Sequence, residues 1–418
     1  MYKYSQMNKY LKKLKTYLII ITFFYLSLIV SFFLNENSSG GARTDFFTTQ
    51  HVIKKISEDF LLGIIDWKNS SLSHFPLHYV LSAIFLKFLT NIDIVRFIFL
   101  NFSILIPFFF YKCIKIIFRN DNAAILLSIL IFISPYFRSS AIWLTTDNTA
   151  LIFFTIAIFF FLKTIRQNNK TNINYYFFLL FFFASSFTRQ YLIVFLLFFF
   201  VKLYKEKIFI NEFKIKIIYL TTFLLFFLYI FGIKFLKSYN SQTSQLLTNN
   251  FYNNIYINLS IIFFYLSPLI FFFKENIINF SNFLKKRKYV HIFFFLILTL
   301  FLYKFDYSHN YGGGFYFKLT NVYLSRIIFL FICFLGLSII YYLSEKNIYN
   351  FTLVIILFSI FNYDIVYQKY FDPLLILIFF TLFEHKVINV IVKKIWPNFI
   401  YLFIYFFLFW LISLITHI

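Results

Sequence analysis

The chain has 418 residues, of which 61% are hydrophobic, 13% are charged and 71 are Phe, and its mean hydropathy is +0.77. Soluble domains carry about 25% charged residues, so this composition excludes a secreted disulfide scaffold, a soluble Rossmann or barrel enzyme and a nucleic-acid-binding domain. The net charge of +23, from 39 Lys and Arg against 16 Asp and Glu, clusters between apolar segments. That is where membrane topology requires positive charge, so no nucleic-acid partner is inferred.

Residues 1–34 join a basic start to an apolar run, and no small-residue cleavage site follows Leu34, which predicts an uncleaved first span. With 17–34, apolar runs at 95–118, 123–137, 145–163, 174–187, 190–204, 216–236, 256–273, 289–304, 322–343, 349–365, 371–384 and 397–416 make thirteen candidate spans. The shorter ones must borrow flanking residues to reach about 20. Basic clusters at 3–15, 112–119, 163–170, 202–216, 274–288, at Lys346 and at 386–394 alternate with these runs, with the N-terminus inside. The stretch Pro76–Leu89 is short for a span and would invert the later topology if counted as one, so it is assigned to the outer face. The prediction is an all-α polytopic membrane protein with about 13 transmembrane helices. No inverted repeat of the transporter kind is visible, and Cys113 and Cys333 form no redox or metal pattern.

Four outer regions follow: 35–89, 138–147, the pair 237–255 and 306–314, and 363–372. Ten of the sixteen acidic residues fall outside: Glu36, Asp45, Glu58, Asp59, Asp66, Asp93, Asp147, Asp306, Asp364 and Asp372. Acid weighs little in topology, so the bias points to external chemistry. Asp45, held beside apolar surface, is a candidate base or a solvated loop acid. Asp147, at the lip of an apolar helix, is a functional carboxylate or a helix-start acid favoured by the dipole. Arg138 and Arg189 at the outer surface either hold a phosphate or carboxylate in a planar fork or snorkel to headgroups. Lys369 with Tyr370 is a third outer basic site with the same two readings. His51, His74, His78 and His309 also face outward, but their spacing makes no metal cage.

The order of these features resembles the GT-C superfamily of integral-membrane glycosyltransferases. Asp45 stands in the first outer loop, followed by Trp67 and Ser73-His-Phe-Pro-Leu-His-Tyr-Val-Leu-Ser82, similar to a His-Pro-Pro-Leu motif with Phe75 in place of the first Pro. Arg96 and Asn101, Ser134-Pro135 with Thr146-Asp147, Ser186-Phe-Thr-Arg-Gln-Tyr191 and Gln368-Lys-Tyr-Phe-Asp-Pro373 follow in family order. Gln368–Pro373 looks like a region near the end of the lipid-linked-oligosaccharide alpha-1,2-glucosyltransferase group, and the chain as a whole is also similar to protein O-mannosyltransferase-like families. The resemblance covers most of 17–204 and a patch at 363–384. It implies a catalytic transmembrane module over 1–204, including outer loop 35–89 with membrane-surface helices, and a variable C-terminal transmembrane module over 205–418.

By that resemblance the donor is a sugar on a polyprenyl phosphate and the acceptor a lipid-linked glycan, a lipid or a protein on the outer face. Asp45 is the implied base of an inverting displacement, and Arg138, Arg189 and Lys369 are the cations for the leaving phosphate. Asp147 positions the acceptor or, as in some relatives, ligates a divalent metal; with no Asp-x-Asp and no His pair, the metal-free form is preferred and no cofactor is assigned. His74, Trp67 and Tyr370 complete the expected substrate contacts. The location implied is a bacterial inner membrane with a periplasmic site. The rival readings are a flippase or transporter of a lipid-linked glycan, whose polar residues belong near the midplane, and a glycan polymerase, which needs a larger late outer loop.

Overall fold

The structure is a computed structural model that describes residues 19–70, 72, 74–166, 173–206, 251–308, 312–323, 325–359 and 365–416. The predicted span 216–236, the N-terminal basic cluster, most of the loop 237–255, His309 and Asp364 lie outside the described residues. Among the described residues helix is the only regular structure, as expected where no water is at hand to satisfy backbone groups.

The first helix, α1 (Ile19–Phe33), leads into three helices of the first outer loop: α2 (Ala42–Glu58), α3 (Phe60–Asn69) and α4 (Leu77–Leu89). Next come α5 (Ile92–Ser103), α6 (Leu105–Phe118), α7 (Asp121–Phe132), α8 (Pro135–Ile142), α9 (Thr146–Arg166) and α10 (Ile173–Ser186). A 3-10 turn at Gln190–Phe195 runs into α11 (Leu196–Lys205). The C-terminal half holds α12 (Phe251–Phe271), α13 (Lys274–Lys286), α14 (Lys288–Phe301), α15 (Gly314–Tyr323), α16 (Arg326–Ser344) and α17 (Ile348–Ser359). A 3-10 turn at Gln368–Tyr370 precedes α18 (Leu374–Thr381), α19 (Lys386–Lys393) and α20 (Ile395–Thr416).

Local chemistry sets several of these boundaries. Asn91, Asn120 and Ser134 accept the first free backbone N–H groups of α5, α7 and α8 through their side chains. Pro135 occupies the first turn of α8, where its missing N–H costs nothing. Thr90 and Arg119 end α4 and α6 in the left-handed region.

The chain is a multi-pass, all-α membrane protein. Five helices are long and apolar enough to cross a bilayer: Ile92–Phe118, Thr146–Arg166, Phe251–Phe271, Arg326–Ser344 and Ile395–Thr416. Two bent pairs, α7 with α8 at 65° and Gln368–Thr381 with α19 at 90°, raise the number to seven if each is one span. The thirteen predicted spans therefore exceed what length and hydropathy support among the described residues. Among the described residues the predicted runs 174–187 and 349–365 overlap the short apolar helices Ile173–Ser186 and Ile348–Phe358. At 13 residues, α4 rises about 20 Å against a hydrocarbon core of about 30 Å; it packs on α2 and α5.

Aromatic packing fills the interior. Phe154, Phe161, Phe178, Phe182 and Phe199 join α9, α10 and α11 in tilted and edge-on contacts. The most enclosed span is α12, with 89% of its apolar window buried against 22% for α20. It meets α16 closely, because a Cβ at Gly336 would lie 2.5 Å from the Leu259 carbonyl oxygen, the kind of approach small residues permit between membrane helices.

Candidate active site

The loop from Asn35 to Gly41 is held by polar contacts that deliver α2 in one orientation. Ser139 Oγ accepts the Ser39 N–H at 2.8 Å and lies 3.1 Å from Ser38 Oγ, while Trp143 Nε1 donates to the Glu36 carbonyl at 2.8 Å. Asp45 then falls in the first turn of α2, where the helix dipole favours a carboxylate. Its Oδ2 accepts from Lys369 Nζ at 2.7 Å. Lys369 comes from the 3-10 turn ahead of α18 and also lies 5.2 Å from the centre of the Tyr367 ring. Gln368 braces that turn, accepting the Phe315 N–H at 2.8 Å and donating to Tyr265 OH at 3.3 Å.

A second ion pair lies deeper. Asp147 occupies the first turn of α9, and its Oδ2 is 2.6 Å from Arg189 Nη2, with the two side chains 11% and 4% exposed. The Asp147 carboxylate therefore serves a specific cation in addition to any dipole interaction. Arg189 caps the 3-10 turn after α10, and its Nη1 donates to His74 Nε2 at 2.7 Å. A guanidinium can only donate, so His74 Nε2 is the acceptor in this contact. Burial opposes the charge on Arg189, but Asp147 first, then Tyr191, Tyr370 and Asp45, more than offset this and raise its pKa.

The remaining expected residues lie around these pairs. Trp67 is buried and its Nε1 donates to the His74 carbonyl at 2.9 Å, so the indole fixes the backbone that carries the imidazole. The Tyr370 ring centre lies 6.4 Å from that of Tyr191 and 5.8 Å from that of Tyr367. The expected residues thus form two groups, Asp45 with Lys369 and Asp147 with Arg189, His74 and Trp67, near enough that Asp45 and Tyr370 act on the charge of Arg189.

Arg138 does not join them. Its fork is taken by Glu36, with Nε 3.0 Å from Oε1 and Nη2 2.9 Å from Oε2. Ser27, Ser31 and the Phe132 carbonyl take its other N–H groups. Trp410 of α20 covers the guanidinium at 4.7 Å and donates its Nε1 to Glu36 Oε1 at 3.0 Å. With the pair only 2% and 4% exposed, Arg138 has neither a donor to offer a substrate phosphate nor a path to snorkel.

Two further groups were placed in outer segments by the sequence but were given no role or partner there. Asp372 is buried and accepts from Ser134 Oγ at 2.7 Å. His78 links α4 to α9, with Nε2 donating to the Leu144 carbonyl at 3.1 Å and Nδ1 accepting from Thr149 Oγ1 at 2.8 Å. Neither pairing leaves a local signal, since the partners stand 238 and 71 residues away. Among the described residues no three His, Cys, Asp or Glu side chains gather as a metal site; Asp45 and Asp147 each face a cation instead.

No family model, curated protein or solved structure matches the chain, so the cluster is interpreted on its own geometry.

Proposed function

We propose that the chain is a membrane glycosyltransferase that moves a sugar from a polyprenyl-phosphate donor to a glycan, lipid or protein acceptor, with inversion at the anomeric carbon. The observation that carries this reading is the pairing of Asp45 with Lys369 and of Asp147 with Arg189 and His74, with Asp45 near enough to act on the charge of Arg189. Two carboxylates, two cations and an imidazole match what such a transfer needs.

In the reaction the acceptor hydroxyl oxygen attacks the anomeric carbon, and the bond from that carbon to the phosphate oxygen breaks with its electron pair. The acceptor proton goes to Asp45, and the polyprenyl phosphate leaves with one more negative charge than it had as a diester. Asp45 loses one negative charge in the same step, so the site as a whole stays balanced. The cations then act where charge develops, which is how preorganised electrostatics accelerates such steps. Lys369 on its flexible stem transfers from Asp45 to the phosphate, freeing the carboxylate as the base; Asp45 is 45% exposed and reachable by an acceptor. Arg189, locked by Asp147, is the fixed donor. The site is proposed to face the periplasm across a bacterial inner membrane, with the polyprenyl tail in the bilayer and no metal required.

The test is turnover in proteoliposomes with radiolabelled polyprenyl-phosphate sugars, comparing the wild type with Asp45→Asn. Loss of polyprenyl phosphate release in a folded variant supports the assignment. Equal turnover removes Asp45 from the chemistry, and movement of intact labelled lipid between leaflets without cleavage makes the chain a carrier.

A further inference from the structure

The turn that carries Asp147 is built against backbone preference. Helix α8 closes with the Thr145 N–H on the Ser140 carbonyl at 3.3 Å, and Leu144, just before Thr145, stands in the left-handed region at φ 49°. Glycine usually fills that place, because a Cβ makes the conformation costly. A leucine persists there only where its surroundings hold it, and Leu144 is buried. Asp147 follows three residues later, in the first turn of α9.

The hold comes from His78 of α4, which is only 1% exposed. A carbonyl only accepts, so Nε2 donates to the Leu144 carbonyl, at 3.1 Å. Nδ1 lies 2.8 Å from Oγ1 of Thr149, two residues after Asp147. One imidazole thus spans the backbone before Asp147 and the helix turn after it. His74, four residues earlier, takes Arg189 Nη1 at 2.7 Å, and Arg189 Nη2 reaches Asp147 at 2.6 Å. The segment 74–78 therefore touches Arg189 at one end and the turn of Asp147 at the other, with Trp67 fixing its start through the His74 carbonyl.

We propose that His78 is a positioning residue for the Asp147–Arg189 pair, holding the Leu144–Thr149 turn so that Asp147 keeps Arg189 in place. The positioning stands on these contacts alone. Its effect on turnover rests on the glycosyltransferase reading, in which Arg189 is the fixed donor to the leaving phosphate.

His78→Phe keeps an aromatic ring against Tyr79 and Phe99 but removes both bonds. Thr149→Val keeps the side-chain shape and removes only the bond to Nδ1. The probe is phenylglyoxal, which modifies guanidinium groups, applied to the full-length protein in nanodiscs and read arginine by arginine by mass spectrometry. A buried arginine reacts as its surroundings open. Arg138 is the internal reference, since it is as buried as Arg189 but is held by Glu36. His78→Phe is expected to speed modification of Arg189 roughly 5- to 100-fold, the range for a buried group left unpaired, with Arg138 unchanged. Thr149→Val should act in the same direction and less. In an Asp147→Asn background neither substitution should speed Arg189 further, because the contact it acts through is gone. In proteoliposomes His78→Phe should lower kcat for the polyprenyl-phosphate sugar and leave KM near wild type.

An Arg189 rate unchanged in both variants overturns the proposal. Equal acceleration of Arg138 and Arg189 also overturns it, since that marks general loosening, and so does an undiminished effect in Asp147→Asn. If His78→Phe does not fold, Thr149→Val decides by the same comparison. A freed Arg189 with kcat unchanged takes Arg189 out of the proposed chemistry and leaves the positioning role. Wild-type protein that turns over no polyprenyl-phosphate sugar ends the glycosyltransferase reading, and the arginine rates alone then judge His78.

Discussion

The Glu36–Arg138 pair gives the sharpest test of how this fold is held. The two side chains are 4% and 2% exposed, and their group ties α1, through Ser27 and Ser31, to α8 and, through Trp410, to α20. Arg138→Met leaves a buried carboxylate without its cation, for which breaking one partner of such a pair costs about 3–5 kcal/mol. Exchanging both partners, Glu36→Met with Arg138→Met, removes the uncompensated charge, so the double variant should lose less than the two single losses added. Arg138→Lys should not rescue, because an ammonium cannot reproduce the two-pronged contact with Glu36 and the bonds to Ser31 and Phe132. The measurements are denaturant titrations in bicelles and melts followed by tryptophan fluorescence. The pH dependence has a definite sign. Burial by itself would raise the Glu36 pKa, but Arg138, together with bonds from Ser31 and Trp410, outweighs it and holds the carboxyl below its ordinary value of 4.5. The pair's contribution is therefore complete above about pH 4.5 and is lost as the pH falls through the lowered folded value. In Arg138→Met burial is opposed only by the bonds from Ser31 and Trp410, so the folded pKa rises relative to wild type and less stability should be lost on acidification. An Arg138→Met protein as stable as wild type, or one with unchanged pH dependence, refutes this account.

Arg189→Lys keeps the charge but cannot reach Asp147 and His74 together; turnover in proteoliposomes should fall by roughly 10- to 100-fold, the loss of one charged hydrogen bond. Gly336→Ala places a Cβ 2.5 Å from the Leu259 carbonyl oxygen, so α12 and α16 must separate; a cost of about 1–3 kcal/mol is expected, and a wild-type melt would contradict it. Trp410→Phe keeps a ring over Arg138 but removes the bond to Glu36; about 1–3 kcal/mol should be lost in the same titration. Turnover is expected to survive chelation by EDTA, because the two site acids are paired with cations; loss restored by a divalent ion would return Asp147 to a metal-ligand role.

Class and helical character were legible from composition, because hydropathy and charge act residue by residue and need no partner. The starts of α5, α7 and α8 were equally local, since Asn91, Asn120 and Ser134 bond to N–H groups within three residues. Span number was less legible: a run of apolar residues gives total hydrophobicity but not where the helix bends, and the 65° break at α7–α8 and the 90° turn before α19 appear only in three dimensions. At the site, Asp45, Asp147 and Arg189 could be singled out because charge beside apolar sequence is costly anywhere in a membrane. Lys369 and His74 were singled out as well, but not as their partners, since pairing is set by packing: Lys369 comes by way of a turn 324 residues from Asp45, and His74 from 115 residues before Arg189. Arg138 carries the same local mark as Arg189, yet faces Glu36 and Trp410 and not the cluster. Sequence by itself determined that these charges required compensation; the tertiary structure decided which side chain compensates each of them, because a charge's partner is set by distance in space and not along the chain.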